Sequence, residues 1–528
     1  MAEDQWTRVA KEEELAEGKP ISVKVGKSAV LLVRRGDKIH ACGGKCSHYG
    51  GPLAEGLLMG DVITCPWHAA RFNVRNGHMV LPPGLDDVGC YAVKVEDGEV
   101  YVGEKEEAGP PEMAGEGERT FVIVGAGAAG NAAAETLRRE GFAGRILLIT
   151  GEPHRPYDRP TLSKELMSGE ASAKWLALHK SGFYDDWQIE LLTERRVASL
   201  DPEGHTLTLA DGEQIGFDCA LLATGGVPRR LDIPGVDLEG CFLLRSREDA
   251  QAILTALEDA ENVVLLGAGF IGLEVASHLL EREREPAVHV VAPEELPMLR
   301  LLGEDVARWL FELHQEHGVK FHLGTTAKEL RGDGKVEDVV LADGTPLPAD
   351  VVIVAIGVRP AVQYLEGSGL VEDGAVPVDG TLKTRAHGIY AAGDIAAVPD
   401  PRSGQRRRIE HWIVAERQGQ HAARAMLGSA QQYGEVPFFW TMQCGKSLKY
   451  VGYADDYDQV VLRGSLAEGK FVAGYYSGQE LKAAAGVGRA DDILALGELL
   501  RAGVNVPPEK LRDDGVDLRE LVPQPGGP

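Results

Sequence analysis

Cysteine is scarce in this sequence, and positive charge is in deficit. Seven Cys (Cys42, Cys46, Cys65, Cys90, Cys219, Cys241 and Cys444) stand at irregular positions in 528 residues. An odd count without regular spacing argues against a disulfide framework and for a reducing compartment. Lys and Arg number 55 against 81 Asp and Glu, a net charge of −26. That balance sets nucleic acid and anionic membrane aside as expected partners. No apolar run reaches the length of a membrane span. The opening MAEDQWTRVAKEEE lacks the charged-then-apolar order of an export signal. The expected location is therefore cytoplasmic. Hydrophobic residues make up 44% of the chain, enough for several buried cores, and the length points to three or four domains.

The pattern changes along the chain. Residues 1–103 carry short apolar runs such as SAVLLVRRG and YAVKVEDGEVYVG, bounded by Gly and Asp, which predicts an all-β domain. Residues 104–119 are rich in Pro, Gly and Glu and read as a linker. From residue 120 strands and helices alternate. TFVIVGAGAAG enters a helix and is followed by the strand RILLIT; NVVLLGAGFIG repeats that order, with Gly267 standing 142 residues after Gly125. From about residue 433 the chain is β-rich with one late helix at DDILALGELLRAG, and VPQPGGP reads as a frayed end.

Cys46, His48, Cys65 and His68 form a C-x-H, then a C-x-x-H sixteen residues on. Thiolate and imidazole suit iron and zinc alike. Tetrahedral zinc usually takes like-with-like pairs. Here each loop mixes one Cys with one His, the pairing a Rieske [2Fe–2S] centre needs, with two His on one iron and two Cys on the other. Cys42 reads as a plain structural thiol.

Two glycine turns follow. In VIVGAGAAG, Gly125 makes the turn, Gly127 admits a pyrophosphate and Gly130 lets helix and strand pack closely. Glu152, 22 residues past Gly130, is placed to hold a ribose hydroxyl. Gly267, Gly269 and Gly272 repeat the motif. Its acid is less clean: Ala292 stands at the expected position, with Glu294 and Glu295 behind it. No cation lies close by for a 2′-phosphate, which favours NADH over NADPH.

The first block resembles Rieske ferredoxins. On that resemblance Cys46 and Cys65 bind one iron, and His48 and His68 the other. Gly51 and Trp67 stand where respiratory-type relatives carry bridging Cys, and Ala69 and Ala70 where a hydroxyl is expected. Fewer hydrogen bonds to sulfur imply a low-potential centre. The remainder resembles the pyridine-nucleotide–disulfide oxidoreductase superfamily, through ALLATGGVP (220–228), VVIVAIGVRP (351–360) and TRAHGIYAAGDIA (384–396). The superfamily's redox Cys pair is missing. RPYDRPTLSKELMSG (155–169), HWIVAERQGQHAARAML (411–427) and FFWTMQCGKSLKYVGY (438–453) narrow the likeness to the ferredoxin-reductase and apoptosis-inducing-factor branch. Within it, the chain is most similar to the apoptosis-inducing-factor-like group with an N-terminal Rieske domain.

The resemblance implies a multidomain fold. An all-β Rieske domain (1–103) and a linker (104–119) precede two α/β Rossmann-like domains. FAD is bound by residues 120–245 and 367–432 and NAD(P) by 246–366; an α+β C-terminal domain spans 433–528. It also implies that Lys164 lies near the flavin and pairs with Glu274 to orient the nicotinamide. Arg159 contacts the flavin nucleotide, Asp394 the ribityl chain, and Trp440 lies near the isoalloxazine. Glu410 and Trp412 are placed nearby. Ala129, Val197, Thr224, Gly225, Phe270, Ile271 and Gly357 complete the implied cofactor-binding set.

A nicotinamide delivers two electrons as hydride, whereas a cluster accepts one at a time. The expected activity is that of an NAD(P)H-dependent reductase passing hydride to FAD, single electrons to the fused cluster and then onward to an unidentified acceptor. A redox-sensing interaction protein and a self-contained small-molecule oxidoreductase are the alternatives. A homodimer is left open. Arg406, Arg407 and Arg408, with Arg402, read as a solvated basic loop, and His154, His179 and His278 as structural.

Overall fold

The computed structural model describes residues 6–106 and 117–523. The centre of the expected linker and the last five residues of the expected frayed end lie outside the described residues.

The N-terminal domain is built on a six-stranded antiparallel sheet. Its spatial order is Thr7–Lys11, Glu99–Glu106, Cys90–Glu96, Lys38–Gly43, Ser28–Arg35, Ile21–Val25. The unbroken run Val30–Val33 has no polar alternation because both faces of its strand are covered. Val30 and Leu32 pack with Val100 and Val102 on one side. Leu31 and Val33 pack with Cys42, Cys46, Cys65 and Phe72 on the other. A second sheet of four short strands (Leu57–Met59, Val62–Thr64, Arg71–Asn73, Met79–Leu81) carries the loops of the Cys/His quartet. The strand Glu99–Glu106 runs past the expected boundary at residue 103, because Lys105 and Glu106 pair with Tyr91 and Cys90. Their charge marks them as linker by composition, but the neighbouring strand supplies ladder partners.

Two five-stranded parallel sheets follow. One runs in the order Ile189–Leu192, Arg145–Ile149, Thr120–Val124, Cys219–Leu222, Ile389–Ala391. The other runs Cys241–Leu243, Val351–Val354, Asn262–Leu266, Ala287–Ala292, Lys320–Leu323. Counted from the strand before each glycine turn, four strands take the same places in both sheets, so the repeat legible in the motifs extends to topology; the fifth differs, since Ile389–Ala391 lies far downstream of its glycine turn and Cys241–Leu243 upstream of its own. The helices Ala128–Arg139 and Phe270–Leu279 leave these turns. The first packs against the helix Trp412–Met426 at a close approach: a Cβ on Gly419 would stand 2.0 Å from the Ala129 carbonyl oxygen.

The C-terminal domain is an antiparallel sheet of five strands from Phe438–Gln443 to Glu480–Val487, covered by the helix Ala490–Arg501. A short second helix, Pro508–Arg512, joins the one expected, starting on a Pro that suits a first helical turn. Among the described residues no helix is long and apolar enough to cross a membrane. In the expected solvated Arg loop, Arg402 and Arg406 are exposed, while Arg407 and Arg408 are partly buried. Arg407 pairs with Asp400 at 2.7 Å, Arg408 bonds Glu410, and Arg402 reaches the Leu500 carbonyl.

The N-terminal domain is docked on the rest of the chain with its Cys/His loops inward. Arg71 meets Glu498 at 2.5 Å, both largely buried. Arg139 reaches Asp87 at 2.9 Å. Arg417 donates to the Ala69 carbonyl at 3.1 Å and Gln420 to that of Val80 at 3.2 Å. The Tyr49 hydroxyl donates to the buried Asp158 carboxylate and lies 3.1 Å from Thr161 Oγ1. Leu57, Met59 and Ala69 join the apolar core of the C-terminal domain.

Candidate redox site

Both ligand loops close in the same way. Cys46 N–H donates to Gly51 C=O at 2.8 Å and Gly50 N–H to Cys46 C=O at 2.9 Å. Cys65 N–H donates to Ala70 C=O at 2.8 Å and Ala69 N–H to Cys65 C=O at 3.2 Å. The loops face each other, with His48 Nδ1 and His68 Nδ1 3.0 Å apart. The Cys46 and Cys65 sulfurs face each other within hydrogen-bond reach, an interaction that lowers Cys65 and raises Cys46. Burial lowers His48 to about 3 and holds His68 well below its usual value, so both imidazoles are neutral, as metal ligation requires. Among the described residues no three of His, Cys, Asp or Glu converge on one point. The two His face each other and the two Cys face each other, an arrangement that fits a two-iron cluster with two protein ligands per iron. A Cβ on Gly51 would stand 2.8 Å from Cys65 Sγ and 3.1 Å from the Trp67 ring, so a bridging Cys has no room there.

A cavity of about 730 Å³ lies between the two nucleotide domains and the C-terminal sheet, within the range of small-molecule cofactor sites. Gly125, Gly127, Ala129, Glu152, Arg159, Val197, Thr224, Gly225 and Asp394 lie in its wall. Lys164, Phe270, Ile271, Glu274, Glu410, Trp412 and Trp440 lie there too. Gly125 has φ 107°, and its Cβ would stand 2.2 Å from the Ala223 carbonyl oxygen, so only Gly fits. A Cβ on Gly127 would meet nothing, leaving an open cradle at the N-terminus of the helix Ala128–Arg139, which has no side-chain cap. Such an uncapped end suits a pyrophosphate. Burial alone would raise Glu152, but Arg159 at 2.8 Å and the Tyr157 hydroxyl at 2.6 Å hold it below its ordinary value, leaving an ionised acceptor for ribose hydroxyls. His411 Nδ1 is buried in the wall without a partner. These residues fit a dinucleotide.

Gly130, Gly267, Gly269, Gly272 and Gly357 lie outside that wall. Gly130 and Gly272 instead pack helix on strand: a Cβ would stand 1.8 Å from Gly125 O and 2.3 Å from Gly267 O, respectively. Gly269 repeats the open cradle of Gly127 at the uncapped helix Phe270–Leu279. Gly357 sits on the return turn and accepts Arg229 N–H at 2.9 Å.

Lys164 and Glu274 meet at 2.9 Å and are both buried. Sequence reasoning missed what surrounds them. Ser163 Oγ donates to Glu274 Oε2 and Thr441 Oγ1 to Glu274 Oε1, each at 2.6 Å. Gln443 Nε2 donates to Thr441 Oγ1 at 2.6 Å, and Gln443 Oε1 lies 2.8 Å from His314 Nε2. Thr441 and Gln443 share one face of the strand Phe438–Gln443, so period two carries this chain inward. Trp440 points the other way. One side of its indole lines the cavity, with Lys164 Nζ 6.0 Å from the ring. The indole also meets both ligand imidazoles, His68 with ring centroids 4.2 Å apart and His48 edge-on at 5.8 Å.

The comparisons agree with this geometry. Residues 119–419 match the model of the family described as "Pyridine nucleotide-disulphide oxidoreductase". The chain belongs to that family. This pyridine nucleotide oxidoreductase also matches the Rieske [2Fe-2S] domain over residues 5–92 and the "Reductase C-terminal" model over residues 438–522. It is 39% identical to human apoptosis-inducing factor 3 over 507 residues, covering 93% of this chain and 83% of that one. It is 35% identical to the ferredoxin–NAD(+) reductase component of the biphenyl dioxygenase system of Paraburkholderia xenovorans over 407 residues, 76% of this chain and 98% of that one. The solved covalent putidaredoxin reductase–putidaredoxin complex superposes with a TM-score of 0.74 at 30% identity, covering 77% of this chain and 99% of that chain. The pyridine nucleotide oxidoreductase thus uses FAD and NAD(H) and carries a [2Fe–2S] cluster. None of its seven cysteines is in a disulfide.

Proposed function

We propose that the chain is an NAD(P)H-dependent reductase whose electrons pass from FAD to its own Rieske cluster and then to a separate acceptor. One observation carries this reading: Trp440 lines the cavity and lies against the ligand His68, with 4.2 Å between ring centroids. When bound, FAD supplies the change from two-electron to one-electron chemistry, and the cluster carries electrons singly. The chain's own residues hold the geometry. Glu152 and Arg159 fix the nucleotide end of the cavity, and the uncapped helix at Gly127 faces the pyrophosphate. Glu274, held by three donors, keeps the Lys164 ammonium aimed beside the flavin position. Trp440 closes the cavity on the cluster side and excludes water there, while Phe439, on the opposite face of the strand, packs against Phe270. NADH is the favoured reductant, since Glu294 and Glu295 follow Ala292 and both are exposed.

Stopped-flow reduction with NADH under anaerobic conditions tests the reading. Flavin bleaching should precede reduction of the cluster in the same molecule, at a rate independent of protein concentration. Bleached flavin beside a cluster that stays oxidised, or a long-lived reduced complex that passes no electrons on, would replace it with a redox-sensing role.

A further inference from the structure

Cys42 and Cys90 lie directly opposite each other on adjacent antiparallel strands, Lys38–Gly43 and Cys90–Glu96. The ladder around them fixes the kind of pair. Gly43 N–H donates to Gly89 C=O at 3.2 Å, one residue out from the pair. Cys42 and Cys90 therefore form a non-hydrogen-bonded pair, the close kind, with Cα atoms about 4.5 Å apart and side chains on one face. A disulfide spans Cα separations of roughly 4.4–6.8 Å. The pair sits at the short end of that range without backbone movement. Cys42 is 1% exposed and packs in the core with Cys46 and Cys65. Cys90 is partly exposed, and its thiol lies 3.7 Å from Glu106 Oε2 on the next strand. One sulfur is thus open to a small oxidant, although its partial burial and the Glu106 carboxylate to which its thiol donates raise it above its ordinary value, and the other lies opposite it on the core side.

The geometry points to Cys42 and Cys90 as a dithiol that closes to a cross-strand disulfide when the protein meets a peroxide. In the first step the Cys90 sulfur attacks hydrogen peroxide, forming a sulfenic acid and releasing water. In the second the Cys42 sulfur displaces the hydroxyl from Cys90 as a second water. Across both steps the two thiols lose two protons and two electrons and one peroxide is reduced to two waters. The bond pins the strand that leads directly into the Cys46–His48 loop to its neighbour, and so ties down one side of the cluster's support. Burial pushes Cys42 up to about 12. Its thiolate is scarce, so closure is slow.

Holoenzyme treated with hydrogen peroxide, then alkylated and digested without reductant, tests the assignment. The expected result is a peptide pair joined through Cys42 and Cys90, lighter by two hydrogens, with cluster absorption retained. The melting temperature of the treated protein should rise and return after dithiothreitol. Cys90→Ser should give neither the joined peptide nor the rise. Should that variant fold poorly, the wild-type alkylation pattern decides alone. The assignment is overturned if Cys42 and Cys90 both remain alkylatable, or if peroxide joins only Cys46 to Cys65 with loss of the cluster.

Discussion

The His68 imidazole and the Trp440 indole lie 4.2 Å apart, centroid to centroid, with their planes inclined by 36°. They come from domains separated by most of the chain, and each is fixed by a different group: His68 by its loop, Trp440 by the strand Phe438–Gln443. Trp440→Leu should leave NADH bleaching of the flavin near its normal rate. Reduction of the cluster should slow by about tenfold or more, a barrier increase of about 1.4 kcal/mol. Stopped-flow traces at separate flavin and cluster wavelengths check it; equal slowing of both phases would move Trp440 from the path to general packing.

The pair Lys164–Glu274 is buried and fully bonded. Lys164→Met leaves the Glu274 carboxylate buried without its cation and should cost about 3–5 kcal/mol of stability. Hydride transfer from NADH should fall by about a hundredfold as the ring positions loosen. The double variant Lys164→Met/Glu274→Gln should recover most of the stability and little of the rate. Urea unfolding and single-turnover kinetics separate the two effects.

Glu135 bridges to the docked domain through Arg139, which binds Glu135 at 2.8 Å and Asp87 at 2.9 Å. Burial raises Glu135 from 4.5 to about 7 in spite of Arg139. The folded state therefore holds a proton that the unfolded state has lost. Stability from this group is complete below the unfolded value and is lost as pH climbs through about 7. The total loss is on the order of 3 kcal/mol. Glu135→Gln should flatten this slope, seen as a smaller difference in urea midpoint between about pH 5 and about pH 8. An unchanged slope would assign the pH dependence to other groups.

Gly51 leaves no space for a side chain beside Cys65 Sγ and the Trp67 ring. Gly51→Ala should destabilise the N-terminal domain by about 1–3 kcal/mol through overpacking and lower the iron and acid-labile sulfide content per chain. Flavin content should be unaffected, since Gly51 is not in the wall of the cofactor cavity. Iron, sulfide and flavin assays on one preparation decide it.

The glycine turns and the Cys/His quartet were legible because each is a local device. Gly125 and Gly127, or Cys46 and His48, act through spacing within a few residues, and spacing is what a sequence displays. Glu152 was legible for the same reason, at a fixed distance along one βαβ unit. The bonds that complete the site have no such period. Thr441 and Glu274 are 167 positions apart, Tyr49 and Asp158 are 109 apart, and Arg71 and Glu498 are 427 apart. They meet only because separate domains pack together. Glu104–Glu106 were read as linker from composition, whereas strand pairing decides their state. The same holds for Arg407, whose partners Asp400 and Asp455 lie on either side of it in the chain.

The docking of the N-terminal domain changes the order of the kinetics. A free ferredoxin must find its reductase by diffusion, and salt and dilution weaken that encounter. Here the two redox centres travel together, seated by contacts such as the largely buried Arg71–Glu498 pair and the Tyr49–Asp158 hydrogen bond. On the proposed path, the step from flavin to cluster has an effective concentration set by the covalent fusion. Diluting the protein leaves that step unchanged, and the encounters left to chance are those with the nicotinamide and with the final acceptor.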